Sequence, residues 1–380
     1  MLFASGVDMP EGVEGAIAAP DRMWWRRNEL FRIAKIIMNR LHFPGLDSSS
    51  MDWRLYEVSR KLPKRMCLHH PFSNFKSLAK HPLVRWADII HLHWVPEFVD
   101  YPTFFREINK PIVWTCHDML PALGVMHFES EYTKCPDVLR SMEMQCRKIR
   151  RKGIEGADIT FVGLSEMMCE ILKSSEVTQE FPCRMIHNGV DVKLFDRRRM
   201  FSPDVATFLF SSYGIHDERK GLCRIVEALE SLETNDIQLW CLGNNFDGKE
   251  LPKASFPIKH LGNIVDQEFL STIYSSADFF INASYEEAFA QTPLESMACG
   301  TPVISTPCSG AKDLIRDFNG VVCKGFSPSD LKDGMQVALS RRYDHRAIRK
   351  YIVENFSSEK IAKRYIELYG EIIEGSKQER

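Results

Sequence analysis

The sequence predicts an α/β protein built from two doubly wound, parallel-sheet domains that face a central cleft. Three observations carry this. Short apolar or β-branched runs alternate with longer segments of helical periodicity, the order that yields parallel sheets with helices on both faces. The 380 residues exceed what one ordinary core accommodates. The segment Lys193–Asp204, with consecutive arginines and a proline, reads as a linker between two such units.

In chain order, strands are expected at Ala87–His93, Pro111–Cys116, Ile159–Gly163, Thr207–Ser212, Ile237–Leu242, Phe279–Ala283 and Pro302–Ser305. Helices are expected at Glu166–Ser174, Leu222–Leu232, Gln267–Ser276, Ser327–Ser340 and Ser358–Ile372. This divides the chain into a first domain over residues 1–195, a second over 205–365, and a C-terminal helix or tail over 366–380. The first sixty residues fit the scheme poorly. Arg22–Leu41 reads as a helix whose apolar positions are interspersed with Arg26, Arg27, Arg32, Lys35 and Arg40. Because the basic residues are not confined to one face, a packed surface helix is favoured over a membrane-surface one.

Composition narrows the function classes. With 44% hydrophobic and 26% charged residues, the chain is an ordinary globular one. No stretch approaches the roughly 18 uninterrupted apolar residues of a membrane span, and no secretory signal opens it. A net charge of −2 argues against general nucleic-acid binding. The eleven cysteines are odd in number and lack Cys-x-x-Cys spacing, and several (Cys116, Cys241, Cys299) sit in apolar runs. Neither a zinc site nor a disulfide framework is expected, and the reading is a reduced, cytoplasmic protein, with peripheral association at the inner face of the membrane as an alternative.

The densest chemistry lies in 279–305. A strand runs into the turn Ser284-Tyr285-Glu286-Glu287, and a short helix is expected to start at Thr292 as N-cap, with Pro293 at its first position, and to stop at Gly300. Backbone N–H groups near 290–293 would then point out of the carboxyl end of a parallel strand, where open α/β sheets bind ligands and a helix start favours phosphate. Thr292-x-x-Glu295 is also a capping box, which would give Glu295 a purely structural task. A second cluster, Asp217-Glu218-Arg219-Lys220-Gly221, follows the strand Thr207–Ser212; it is either a solvated charged loop or a cationic site at a strand end. His117-Asp118 ends the strand Pro111–Cys116, where a histidine is by default structural. His91 and His93 alternate along the preceding strand and are not both expected to face the cleft; with no evident third ligand, a metal is rejected. His187-Asn188-Gly189 is a turn signal, and Ser165 reads as a helix N-cap.

The run Glu287-Ala-Phe-Ala-Gln-Thr-Pro-Leu-Glu295-Ser-Met-Ala-Cys-Gly-Thr-Pro-Val303 resembles the signature of family 4 glycosyltransferases, which have the GT-B fold of two Rossmann-like domains. The adjacent Arg219-Lys220-Gly221, and Ala-Asp-Ile-Ile-His-Leu-His-Trp at 87–94, resemble the subset linked to surface polysaccharide synthesis of the colanic-acid type. The resemblance covers about 68–370. It implies that Glu287 contacts hydroxyls of the donor sugar and Glu295 those of the ribose. It also places the backbone at Phe289, Ala290 and Gln291, with Thr292, by the pyrophosphate, Arg219, Lys220 and Gly221 on the diphosphate, and His117, oriented by Asp118, at the sugar. Ala290 stands where the family usually has glycine, a difference that matters if the position needs positive φ. The first domain, on the acceptor side, is expected to lack the family's first strand and Gly-rich loop.

The function this implies is metal-independent, cofactor-free transfer of a sugar from a nucleotide-diphosphate sugar to a saccharide or polyprenyl-linked acceptor, with retention. Two alternatives stand beside it: a catalytically impaired nucleotide-sugar binding protein, and a nucleotide-sugar 2-epimerase on the same fold, which would need further acid/base groups. The run Arg147-Lys148-Ile-Arg150-Arg151-Lys152 is expected to be a solvated helix face rather than a lipid-phosphate contact.

Overall fold

The computed structural model describes residues 2–3, 17–18, 48–60, 67–73, 75, 77–133, 135–198, 200, 204–232, 234 and 236–378. The expected helix Arg22–Leu41, and the expectation about the first strand and loop, fall largely or wholly on residues outside this set. The chain forms two compact units that interleave in sequence. One comprises 1–162, 171–184 and 372–380, the other 163–170 and 185–371.

The first unit carries a four-stranded sheet in the order β1 (Ile90–Leu92), β2 (Ile112–Cys116), β3 (Ile159–Gly163), β4 (Cys183–Met185), with β1 and β2 parallel. All five side chains of β2 are buried, which is why it reads as a continuous apolar run. Helix α1 (Ser48–Ser59) and the long helix α2 (Asp137–Ile154) belong to this unit. The face of α2 that includes Leu139, Met142 and Cys146 also buries Glu143 and Arg150. The run Arg147–Lys152 is therefore not one solvated face. Arg150 is 1% exposed, donates to the Gly124 and His69 carbonyls, and lies 4.4 Å over the Tyr101 ring. Arg147 is bonded to Glu143, leaving Lys148, Arg151 and Lys152 on the surface.

The second unit is built on six strands, β5 (Ala206–Gly214), β6 (Ile237–Asn244), β7 (Ile258–Gly262), β8 (Phe279–Asn282), β9 (Val303–Ser305) and β10 (Gly320–Val322). Every neighbouring pair is parallel and the order is β10-β9-β8-β5-β6-β7. Numbered within the unit this is 3-2-1-4-5-6 read from the far edge, the doubly wound order in which connections reverse direction between β5 and β8. Their register pairs Phe279 with Phe208 and Ile281 with Phe210, and these four side chains lie in a core with Ile225, Leu239, Ile304 and Leu331. Each such side chain stabilises the fold by about 1.5–3 kcal/mol through its removal from water.

The longer helices that follow are α3 (Glu166–Ser174), α4 (Leu222–Glu230), α5 (Gln267–Ser276), α6 (Gln291–Ala298), α7 (Pro328–Ser340), α8 (His345–Phe356) and α9 (Ser358–Gln378). Their starts follow local chemistry. Asp266 accepts from the Glu268 and Phe269 N–H groups, Ser327 and Asp330 form a reciprocal capping box, and the Ser165 hydroxyl accepts from Met168 N at 3.3 Å.

Candidate functional site

The reversal of strand order places the ends of β5 and β8 side by side, and the two charged clusters continue from those ends. Gly221, at φ 84°, turns the chain into α4; a Cβ there would meet the Ala283 carbonyl oxygen at 2.7 Å, so only glycine fits this close approach. The Lys220 ammonium is ion-paired with the Glu287 carboxylate, to which Ser284 Oγ also donates at 2.6 Å. Arg219 bonds Asp217 through its guanidinium at 3.3 Å, while its carbonyl accepts Tyr285 N at 3.0 Å. Arg224, one turn into α4, donates to the Ala283 carbonyl at 2.6 Å and stacks 3.5 Å over the Tyr285 ring. Thr306 Oγ1 donates to the Ser284 carbonyl at 2.6 Å. The turn that carries Glu287 is thus held from several directions.

Helix α6 begins at Gln291, with Ala290 as its N-cap and no side-chain cap. This corrects the expected start at Thr292. Pro293 falls in the first turn, where its missing N–H has no intrahelical partner to lose. The capping box Thr292–Glu295 does not form. Glu295 instead accepts a hydrogen bond from Tyr274 of α5 at 2.9 Å, and burial raises its pKa to about 7, against the smaller effect of that bond. Ala290 has φ −66°, so the position does not require glycine for its backbone conformation. Gly300 lies just past the helix end at φ 80°, as the sequence indicates.

The preceding loop is fastened by its carbonyls. Ala288 O accepts from Ser165 Oγ at 2.9 Å and Ser309 Oγ at 3.2 Å, and Phe289 O from Asn188 Nδ2 at 3.4 Å. Gln291 Nε2 reaches the Gly189 carbonyl at 2.9 Å, and His187 stacks on Phe289 at 5.1 Å. The turn His187-Asn188-Gly189 is a buttress of the 288–291 loop, a role its own sequence did not reveal. Arg224, Tyr274, Ser309 and Thr306 are also missed by sequence reasoning. They act through contacts distant in the chain, and only Arg224 left a signal, sitting three residues after the Lys-Gly pair.

In the first unit, His117 follows β2 and its Nε2 lies 3.0 Å from His93 Nδ1. The His91 and His93 rings are 4.0 Å apart, which corrects the expectation that they diverge: residues i and i+2 of a strand share a face. His91 Nε2 lies 2.8 Å from Thr115 Oγ1. Burial, reinforced by the neighbouring histidines, pushes His91 down to about 3 and His93 down to about 4; burial also lowers His117, against the opposing charge of Asp118. These three rings are neutral near neutral pH. The orienting bond from Asp118 to His117 is not found. The Asp118 carboxylate accepts instead from Trp94 Nε1 at 2.9 Å, Leu120 N at 2.9 Å and His127 Nδ1 at 2.6 Å.

Comparison with known proteins agrees with this fold. Residues 198–355 match the family model described as glycosyl transferases group 1, and 43–194 match glycosyltransferase family 4. D-inositol 3-phosphate glycosyltransferase of Paenarthrobacter aurescens (strain TC1) is 26% identical over 349 residues, covering 83% of this chain and 81% of that protein. Sucrose-phosphate synthase of Thermosynechococcus elongatus superposes with TM-score 0.62 at 20% identity, covering 79% and 77% of the two chains. Anabaena HepE, solved in complex with UDP and glucose, gives TM-score 0.57 at 15% identity, covering 75% and 78%. Two parallel-sheet α/β domains of the GT-B fold, with these matches, define a glycosyltransferase of the hexosyltransferase class. Within that class, the group 1 match in one half and the family 4 match in the other support a family 4 glycosyltransferase.

Proposed function

We propose that the chain transfers a sugar from a nucleoside-diphosphate sugar to a saccharide or polyprenyl-linked saccharide, with retention of anomeric configuration, in surface polysaccharide synthesis. The observation that carries this reading is the convergence of Lys220, Glu287 and the uncapped start of α6 at the strand-order reversal of the second unit. Lys220 and Arg219 supply positive charge where a diphosphate gains negative charge as the glycosidic bond breaks, and the start of α6 adds its dipole. Glu287 takes hydroxyls of the donor sugar, and Glu295 those of the ribose. Gly221 and residues 289–292 supply the close backbone approach.

Glu287 and Glu295 are taken up by hydroxyls and no other carboxylate among the described residues is placed as a nucleophile, so retention proceeds on one face of the sugar, with the leaving phosphate taking the acceptor proton. His117 stands by the sugar as a neutral hydrogen-bonding group. The enzyme then works by positioning and charge stabilisation, without a metal or cofactor. The donor is a nucleotide sugar, in keeping with the UDP and glucose bound by HepE. No helix among the described residues is long and apolar enough to cross a membrane, and we place the enzyme in the cytoplasm, at the inner face of the membrane when its acceptor is lipid-linked.

A donor-hydrolysis and transfer screen across nucleotide sugars, with the product anomer read by NMR, tests the proposal. Transfer with retained configuration is the expected result. Failure to bind any nucleotide sugar removes the whole reading, binding without transfer leaves a binding protein, and an inverted product removes retention alone.

A further inference from the structure

The first unit contains a second constellation that the transfer reaction does not use. Cys67 Sγ lies 3.8 Å from His69 Nδ1, and His69 Nδ1 lies 2.7 Å from His127 Nε2. All three donor atoms fall within 4.8 Å of one another, although His127 is 58 residues from His69 in the chain. A tetrahedral zinc ion sits about 2.3 Å from thiolate sulfur and about 2.0 Å from imidazole nitrogen, which separates its ligand atoms by roughly 3.3–3.6 Å. The Cys67–His69 and His69–His127 separations lie on either side of these values, so small side-chain shifts bring those atoms into a coordination shell.

The surroundings prepare it. His127 Nδ1 is 2.6 Å from Asp118 Oδ2, an oxygen that also accepts Trp94 Nε1 at 2.9 Å. A carboxylate on Nδ1 fixes the tautomer that turns the Nε2 lone pair toward the cluster, the usual second layer of a histidine–zinc site. The His69 ring is set edge-on against Trp94 at 5.7 Å. Its backbone is pinned at both ends: the N–H donates to Val125 O at 2.9 Å and the carbonyl accepts Arg150 Nη2 at 3.0 Å. His127 N donates to Glu131 Oε2 at 3.0 Å, and its carbonyl accepts Met119 N at 3.0 Å. Both imidazoles are thus held by groups other than each other. Cys67 is exposed, so the cluster opens to solvent on the thiol side, where water can complete the shell.

We propose that Cys67, His69 and His127 bind one zinc ion, clamping the segment at 67–69 to the loop of residues 117–127 that carries His117 and Asp118. One soft thiolate with two imidazoles selects zinc over the hard cations magnesium and calcium. Nothing in the sequence marks it, because Cys-x-His is too short a spacing to signal a site and the third ligand is remote.

Metal analysis of the intact protein, purified without chelator, decides the matter. The expected result is about one zinc per chain in the wild type, lost in C67S and in His127→Asn and retained in His117→Ala. Because Cys67 is exposed, C67S tests the ligand without disturbing a core, and circular dichroism checks that it is folded. Cobalt substitution provides a readout independent of enzyme activity: a thiolate-to-cobalt charge-transfer band in the wild type, absent from C67S. Wild-type protein that neither contains nor takes up zinc overturns the proposal, leaving Asp118–His127–His69 as a hydrogen-bonded relay. Equal zinc in wild type and C67S overturns it as well, since the metal then sits elsewhere.

Discussion

Lys220 and Glu287, 67 residues apart in sequence, form an ion pair across the reversal of strand order in the second unit. Lys220 is 23% and Glu287 13% exposed, so neither charge is fully solvated and each relies on the other. In the proposed reading, a diphosphate would offer Lys220 a stronger partner and release Glu287 toward the sugar. Lys220→Met is expected to lower kcat/KM by about 10²-fold or more, the size of effect seen when a group stabilising developing charge is removed. Glu287→Gln, which retains an acceptor for Ser284, is expected to weaken discrimination between donor sugars more than nucleotide binding. Steady-state kinetics with paired nucleoside-diphosphate and nucleotide-sugar titrations check both; a Lys220→Met enzyme with unaltered kcat/KM would sink the diphosphate role.

Glu295 links stability to pH. Burial raises its folded-state pKa to about 7, above the 4.5 of an unperturbed glutamate. A raised pKa means that the folded state holds the proton more tightly than the unfolded one. The resulting stabilisation is complete below about 4.5 and is lost as pH rises through about 7. Glu295→Gln keeps an acceptor for the Tyr274 hydroxyl without the charge. Chemical denaturation is expected to show the variant gaining on the wild type by on the order of 2 kcal/mol between acid and mildly alkaline pH, alongside weaker nucleotide binding. A pH-independent difference between the two proteins would refute the assignment.

Gly221 is the position where a single methyl group should do the most damage. A Cβ would sit 2.7 Å from the Ala283 carbonyl oxygen and 2.5 Å from Arg224 Nη2, on a backbone at φ 84°. The guanidinium can move, but the carbonyl belongs to the chain just after β8 and cannot. Gly221→Ala is expected to destabilise the protein by about 1–3 kcal/mol and to lower Tm by several degrees. Thermal unfolding measures it, and an unchanged Tm would mean that the approach of β5 and β8 is looser than described.

His117 is held at 3.0 Å by His93, in a group of rings whose pKa values all lie below the usual histidine value. If its neutral form serves the sugar, kcat should stay level through the range where ordinary histidines titrate and fall only at lower pH. His117→Ala is expected to reduce kcat by about 10²-fold while leaving the donor Kd unchanged, because the proposed contact is made as the glycosidic bond breaks. A kcat limb centred at the ordinary histidine pKa, or a loss confined to donor Kd, would contradict this.

Much of this molecule is written locally. Strands with both faces buried, such as Ile112–Cys116 and Phe279–Asn282, are continuous apolar runs, and the helices Glu166–Ser174 and Gln267–Ser276 carry their own caps. The edge strands Cys183–Met185 and Ile258–Gly262 escaped because they are only partly buried and need no such run. The helix His345–Phe356 was not expected either, because its charges mask the stripe of Ile348, Ile352 and Phe356. The sequence by itself thus determined the α/β class, the glutamate pair and the basic loop. Tertiary structure decided what those residues do: Glu295 is joined to Tyr274 rather than to a helix cap, Asp118 to His127 rather than to His117, and Lys220 to Glu287. The reason is physical. Caps and apolar periodicity involve neighbours within a few residues, whereas a buried charge must find its partner among whatever groups the strand order brings alongside it.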